Sequence, residues 1–145
     1  MIESEFIKEF FIINNIYRNM NNILKDKLLK NNISLNETEV IILFLLSDKN
    51  DLTAEEMLKI GHFSTSNLLF NLNTLNSNSY IESSNYKEDN PLKMSSNLSL
   101  NGINILSNVH KICKNIMTNS DKNYLNLLLE YENTIKNLVP KNRKF

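Results

Sequence analysis

Apolar residues recur at helical spacing along most of the chain. Phe6, Phe10, Ile13, Tyr17, Met20 and Leu24 step alternately by four and three residues, while Glu9, Arg18, Lys25 and Asp26 fall off that stripe. The pattern predicts one long amphipathic helix over 3–30. Its stripe must be buried, either on its own domain or on a partner subunit. A periodic helix of this length favours the partner. Asn36, with Glu39 three residues on, has the form of a capping box that opens a second helix. The run Val40 to Leu46 is apolar all round, which predicts a fully buried core helix, too short to cross a bilayer. Asp48 to Asp51 then reads as a polar loop.

Thr53 and Glu56 form a second capping-box pair at the start of a short helix carrying Met57, Leu58 and Ile60. Gly61 suits its end, as the residue that turns left-handed. Ser64 to Ser66 can cap a further helix through about Ser77. Two short helices joined at a tight turn make a helix-turn-helix. Tyr80 to Ser84 and Ser95 to Leu98 read as strands flanking the polar stretch Asn85 to Pro91, so a β-hairpin wing follows. Ser99 caps a helix from Leu100 to about Thr118, with Ile103, Leu106, Val109 or His110, Ile112 or Cys113, and Ile116 or Met117 inward. Asn119-Ser120 breaks it. Ser120 caps a last helix bearing Tyr124, Leu127, Leu128, Tyr131, Ile135 and Leu138, which ends at Pro140 and a basic tail, Lys141 to Lys144.

Composition narrows the function classes. The 145 residues are enough for one domain with a real core, and 41% hydrophobic content excludes a disordered chain. Sixteen Lys and Arg balance sixteen Asp and Glu, so bulk charge cannot hold nucleic acid. One cysteine and two histidines provide no internal disulfide, no zinc cluster and no Ser-His-Asp set. Only two glycines are present, and neither phosphate-binding glycine motif occurs. No enzyme, cofactor or metal is expected. No apolar run approaches the roughly 18 residues of a membrane span, and the N-terminus is acidic where a secretory leader is basic. A cytoplasmic protein is the expectation. The 27 asparagines are spread through periodic segments, as an A/T-rich coding sequence produces, and most read as surface filler.

The element order resembles the MarR family of winged helix-turn-helix transcription regulators, over nearly the whole chain. The most specific stretch is Leu52 to Ile81, LTAEEMLKIGHFSTSNLLFNLNTLNSNSYI. Gly61-His62-Phe63 and Asn67 to Leu72 align without a gap with the family variant Gly-Tyr-Tyr and Asn-Val-Ser-Tyr-Asn-Leu. Leu98-Ser99-Leu100-Asn101-Gly102 is similar to its Leu-Thr-x-x-Gly after the wing. The resemblance implies a mainly α fold with a small β-hairpin wing, as a single domain over 1–145. Residues 3–30 and 100–138 would be dimerisation helices around a winged lobe at 36–98. It implies a homodimer that puts a recognition helix in the major groove and a wing in the minor groove of double-stranded DNA. Such regulators commonly repress, and many are released by a small ligand bound between the dimer helices and the lobe.

The chain departs from the family where DNA contact is expected. The wing tip of the family carries an Arg after its Asp, whereas Asp89 is followed by Asn90 and Pro91. No Lys or Arg occurs from Gly61 to Tyr80, and Asn73 and Thr74 stand at positions that are often basic. From Gly61 to Asn97 only Lys87 and Lys93 oppose Glu82, Glu88 and Asp89. Each phosphate contact contributes about −0.9 to the salt slope of binding, so such a lobe needs help from Lys30, Lys49, Lys59 or backbone amides.

With Leu68, Leu72 and Leu75 inward, Ser66, Phe70, Asn73 and Thr74 point outward, flanked by Asn67, behind the helix start at Ser64 and Thr65. Asn can bond an adenine edge, and a Thr methyl or Phe edge can touch a thymine methyl. These residues, with Lys87 and Lys93, are the candidate DNA contacts. Solvated filler is the competing reading for Asn73, and a structural role is favoured for Asn71. The alternative function is a winged-helix module for protein partners that has lost DNA contact. Cys113 reads as a buried, unreactive thiol, and Tyr17, Tyr124 and Tyr131 as dimer core.

Overall fold

Residues 4–84, 90–114, 116 and 123–139 are described by a computed structural model, which divides the chain into two compact units, 1–113 and 114–145. In the first unit, helix α1 (Glu5–Lys30) begins on the Ser4 hydroxyl, which accepts from the Ile7 amide. It ends where Asn32 turns left-handed and the Ile33 amide returns to the Leu28 carbonyl at 2.9 Å. Leu28 alone is buried and Leu24 half-buried, whereas Phe6, Phe10, Ile13, Tyr17 and Met20 stay exposed. The Tyr17 hydroxyl donates to Glu37 Oε1, tying α1 to the next helix, and that bond holds the phenol above its ordinary range.

Both halves of the first capping box form at α2 (Glu37–Asp48): Asn36 Oδ1 accepts from the Glu39 amide at 2.8 Å, and Glu39 Oε1 from the Asn36 amide at 3.0 Å. Ile42, Leu43 and Leu46 are fully buried against α3 (Ala54–Gly61), α4 (Thr65–Ser77) and β3 (Ser95–Leu98). The expectation of burial all round fails for Ile41 and for Phe44, which is 63% exposed. The core lies on one side of α2 only, and the other side lines an open cavity with α5 (Leu100–Lys114).

The second box also forms, at α3 (Ala54–Gly61), with the Thr53 hydroxyl accepting from Glu56 N at 3.1 Å and Glu56 Oε1 from Thr53 N at 3.2 Å. Those bonds hold the Glu56 carboxyl below its usual range, with nearby Lys49 adding to the effect. Gly61 does not take the left-handed position expected of it. The helix runs through it and His62 turns instead, at φ 55 and ψ 39. A Cβ at Gly61 would stand 2.2 Å from the Phe63 ring, so a larger residue there requires that side chain to move.

Helix α4 (Thr65–Ser77) lays Leu68, Leu72 and Leu75 on the core as expected. Strands β2 (Ile81–Ser83) and β3 (Ser95–Leu98) pair antiparallel, Ile81 with Leu98, as the stem of the wing; its tip, 85–89, lies outside the described residues. The first strand is shorter than expected at its start, because the Tyr80 amide donates back to the Leu75 carbonyl of α4 at 3.0 Å and is lost to the ladder, although the Tyr80 carbonyl still accepts from Ser99 N at 3.1 Å. A third strand, β1 (Leu52–Thr53), pairs with the other edge of β3, giving the order β1-β3-β2. Pro91–Lys93 forms a 3-10 turn against α3.

Helix α5 (Leu100–Lys114) starts on Ser99, whose hydroxyl accepts from Gly102 N at 3.0 Å and donates to the Ser79 carbonyl at 2.5 Å. Val109 is buried, and Leu106, Ile112 and Cys113 are half-buried, but Ile103, expected inward, is 53% exposed because it faces the cavity beside α2. Burial pushes the Cys113 thiol up, away from the reactive thiolate. The expected end of this helix near Thr118 and the Ser120 cap fall outside the described residues. The second unit contributes α6 (Asn123–Leu138), with Lys136 and Glu132 paired at 3.2 Å and with Tyr124, Leu125, Leu127, Leu128 and Leu129 exposed.

Candidate nucleic-acid interface

The outward face of α4 is held by its inward face. Leu68, Leu72 and Leu75 are wholly buried, so rotation of the helix would expose three leucines at about 2 kcal/mol each. One buried polar side chain adds direction. Asn71, 2% exposed, accepts from Asn36 Nδ2 at 2.8 Å and donates to the carbonyl and side-chain oxygens of Asn67 at 2.8 and 2.9 Å. Asn67 in turn donates to Thr38 Oγ1 at 3.1 Å. The N-terminal turn of α2 therefore grips α4 through three side-chain amides. The structural role expected for Asn71 is the observed one. Sequence reading assigned Asn36 only its cap and missed Thr38 altogether; their partners lie 35 and 29 residues away, beyond any local spacing rule.

The candidate contacts separate by what each still has free. The Ser64 hydroxyl is spent on capping, accepting from Asn67 N at 3.2 Å. The first-turn amides of Thr65 and Ser66 have no acceptor within the helix, and both residues are exposed. Asn67 is exposed, but its amide and side-chain oxygen are engaged as above. Phe70 is 68% exposed. Asn73 is exposed, with no side-chain hydrogen bond among the described residues. Thr74, half-buried, turns its hydroxyl back to the Phe70 carbonyl at 3.1 Å. One face thus gathers Ser66, Phe70, Asn73 and Thr74. Lys93 sits apart from it, exposed in the turn that packs on α3, and Lys87 lies outside the described residues.

Charge works against phosphate binding by this lobe. Residues 36–98 contain four lysines and nine carboxylates. Two of the helper cations named above are already paired: Lys49 with Glu56 at 3.5 Å and Lys30 with Asp26 at 3.0 Å. Lys59 stands exposed in the last turn of α3. Behind α4, an open cavity of about 960 Å³ between α2 and α5 is lined by Val40, Ile41, Phe44, Ile103, Leu106 and His110, among others. A smaller one of about 470 Å³, between α1 and the start of α2, takes in Lys25, Glu37 and Glu39, whose Oε2 is buried with no partner among the described residues. Among the described residues no set of three His, Cys, Asp or Glu could hold a metal ion, and no helix is long and apolar enough to cross a membrane.

No family model matches the chain, and no curated protein matches it. Solved structures do. The transcriptional regulator BldR from Sulfolobus solfataricus is similar over 96% of this chain and 100% of its own, at 15% identity and a TM-score of 0.77. A mutant MarR from E. coli complexed with operator DNA is similar over 97% of this chain and 99% of its own, at 16% identity and a TM-score of 0.71. MarR of Staphylococcus aureus in complex with salicylate and kanamycin is similar over 96% of each chain, at 18% identity and a TM-score of 0.71. At such identities what is shared is the architecture, and the chain has the winged helix-turn-helix fold of the MarR transcriptional regulators.

Proposed function

We propose that this chain is a transcription regulator of the MarR family that binds double-stranded DNA in the cytoplasm as a homodimer and represses the genes whose control regions it occupies. The observation that carries the reading is the α4 face. Ser66, Phe70, Asn73 and Thr74 are presented outward on a helix pinned by buried leucines, in a fold whose E. coli counterpart has been solved on operator DNA. Dimerisation is supported by α1 and α6, which leave Phe6, Phe10, Phe11, Tyr124, Leu127 and Leu128 exposed. A lone soluble subunit does not ordinarily leave so much apolar surface bare. A small effector is part of the proposal. The apolar cavity between α2 and α5 fits that role better than the charged one beside α1, and the S. aureus relative was solved with salicylate and kanamycin.

The carboxylate excess of the lobe favours a second reading, a winged-helix module that binds protein partners. Fluorescence anisotropy separates the two. The gene's own upstream DNA is compared with a scrambled duplex of equal A/T content, over a range of salt. A DNA reader binds the upstream duplex preferentially, with a shallow salt slope of about two to four phosphates per dimer, since few cations are free. Equal, weak binding to both duplexes that a little salt abolishes, together with a partner retained in a pull-down at physiological salt, establishes the protein-binding module.

A further inference from the structure

Resting on the reading of α4 as the DNA-contacting helix, we infer that it recognises thymine by its 5-methyl group, through Phe70 with Thr74 beside it, and that Asn73 supplies the polar contact on the same face. The hydrogen bonds of the helix carry this by elimination. Ser64 is spent on the cap, Asn67 on Thr38 and Asn71, and Asn71 on Asn36 and Asn67. Thr74 has turned its hydroxyl donor to the Phe70 carbonyl, so what it offers a ligand is chiefly apolar. What remains free on the outward face is one large apolar ring, 68% exposed, one such threonine a turn further on, the small hydroxyl of Ser66 a turn before, and the Asn73 amide.

Each base presents a different major-groove edge. Guanine offers two acceptors, met best by Arg or Lys, and α4 has neither. Cytosine offers a donor, met best by a carboxylate, and α4 has none. Thymine offers a methyl group and adenine a paired acceptor and donor; these match an apolar ring and an asparagine amide. Solvent exposure of Phe70 is unfavourable in the free protein, so covering the ring adds to binding without the phosphate contacts this lobe lacks.

The test begins with a random duplex library selected on the wild-type protein. In the tightest duplex, each thymine is replaced in turn by deoxyuridine, which deletes the methyl and keeps the pairing edge. Wild type is expected to bind about fourfold more weakly at one or two thymine positions per half-site, the effect of one buried methylene. Phe70→Ala is expected to lose that sensitivity at the same positions, while Phe70→Leu keeps part of it. Thermal melts that match wild type exclude misfolding of the variants. Selected duplexes that bind equally well with deoxyuridine overturn the inference and leave DNA binding standing. So does a Phe70→Ala protein that keeps full methyl sensitivity. Selection that enriches no duplex overturns the DNA-binding reading itself, and this inference with it.

Discussion

Replacing Gly102 by Ala sets two effects of opposite sign against each other. Helix propensity alone favours alanine by about 1 kcal/mol. Sterics oppose it, because a Cβ at position 102 would lie 1.9 Å from the Tyr80 carbonyl oxygen and 3.2 Å from Leu98 Cδ2. An ordinary contact needs roughly 1.5 Å more than the first of these, and backbone cannot rotate away as a side-chain tip can. The start of α5 must therefore withdraw from the turn at Ser79 and Tyr80. Withdrawal strains or breaks two bonds that dock it there, Ser99 N to the Tyr80 carbonyl at 3.1 Å and Ser99 Oγ to the Ser79 carbonyl at 2.5 Å. Two hydrogen bonds at about 1 kcal/mol each and an overpacking cost of about 2 kcal/mol outweigh the propensity gain, leaving about 3 kcal/mol of destabilisation. Urea unfolding followed by circular dichroism, at one protein concentration, should show a midpoint lowered by about 1.5 M at unchanged slope. Gly61→Ala is the control. The three atoms nearest its Cβ all belong to the Phe63 ring, a side chain that can shift, so about 1 kcal/mol is expected. A Gly102→Ala midpoint equal to or above wild type, or a larger loss for Gly61→Ala, would refute the reasoning.

Further outcomes follow from named contacts. Asn71→Ala should lower stability by about 2 kcal/mol in the same urea assay, because Asn36 Nδ2 loses its acceptor in a part-buried site, while Asn73→Ala should stay within about 0.5 kcal/mol; equal effects would contradict the amide network. The proposed homodimer places Phe10, on the exposed stripe of α1, in its interface, so Phe10→Glu should sediment as a monomer at micromolar concentrations where wild type is a dimer; a variant that dimerises like wild type would remove α1 from the proposed interface. Glu56 is held below the ordinary glutamate range near 4.5 chiefly by its bond to the Thr53 amide. Its contribution is fully present above that range and is lost as pH falls through the lowered folded value. The drop in urea midpoint between pH 7 and pH 3 should therefore be smaller in Glu56→Gln; an identical drop would mean that the box adds nothing.

Much of this architecture was legible because it is local. Asn36 with Glu39 and Thr53 with Glu56 are spacing rules that hold wherever a helix begins, and both boxes formed. The leucine stripe of α4 is periodic and needed no partner to be seen. What escaped depends on distant chain. Leu52 and Thr53 form a strand only because β3 offers Ser96 and Ser95 to pair with. Val40 to Leu46 carries no sign of which side the core occupies, so Phe44 read as buried. At the candidate interface, the outward set on α4 was visible from the period alone, whereas the commitment of Asn67 to Thr38 was not. The left-handed turn after α3 was misassigned for a different reason: Gly61 was expected to make it, and His62 makes it instead.

Four described residues have positive φ: Asn32, Asp51, His62 and Ser79, and neither glycine is among them. A left-handed L residue costs about 1–2 kcal/mol, less for Asn and Asp, yet a glycine in its place would loosen the unfolded chain by roughly 0.4–1 kcal/mol. At such corners the two residue kinds are close to interchangeable in free energy. Mutational drift that drains glycine codons can therefore empty them with little effect on folding. No such exchange is open at Gly102, where the Tyr80 carbonyl occupies the space a Cβ would need. Conformational need for glycine can be met by other residues, whereas need for its absent side chain cannot. A genome biased against glycine can keep this fold as long as it spares the points of backbone contact.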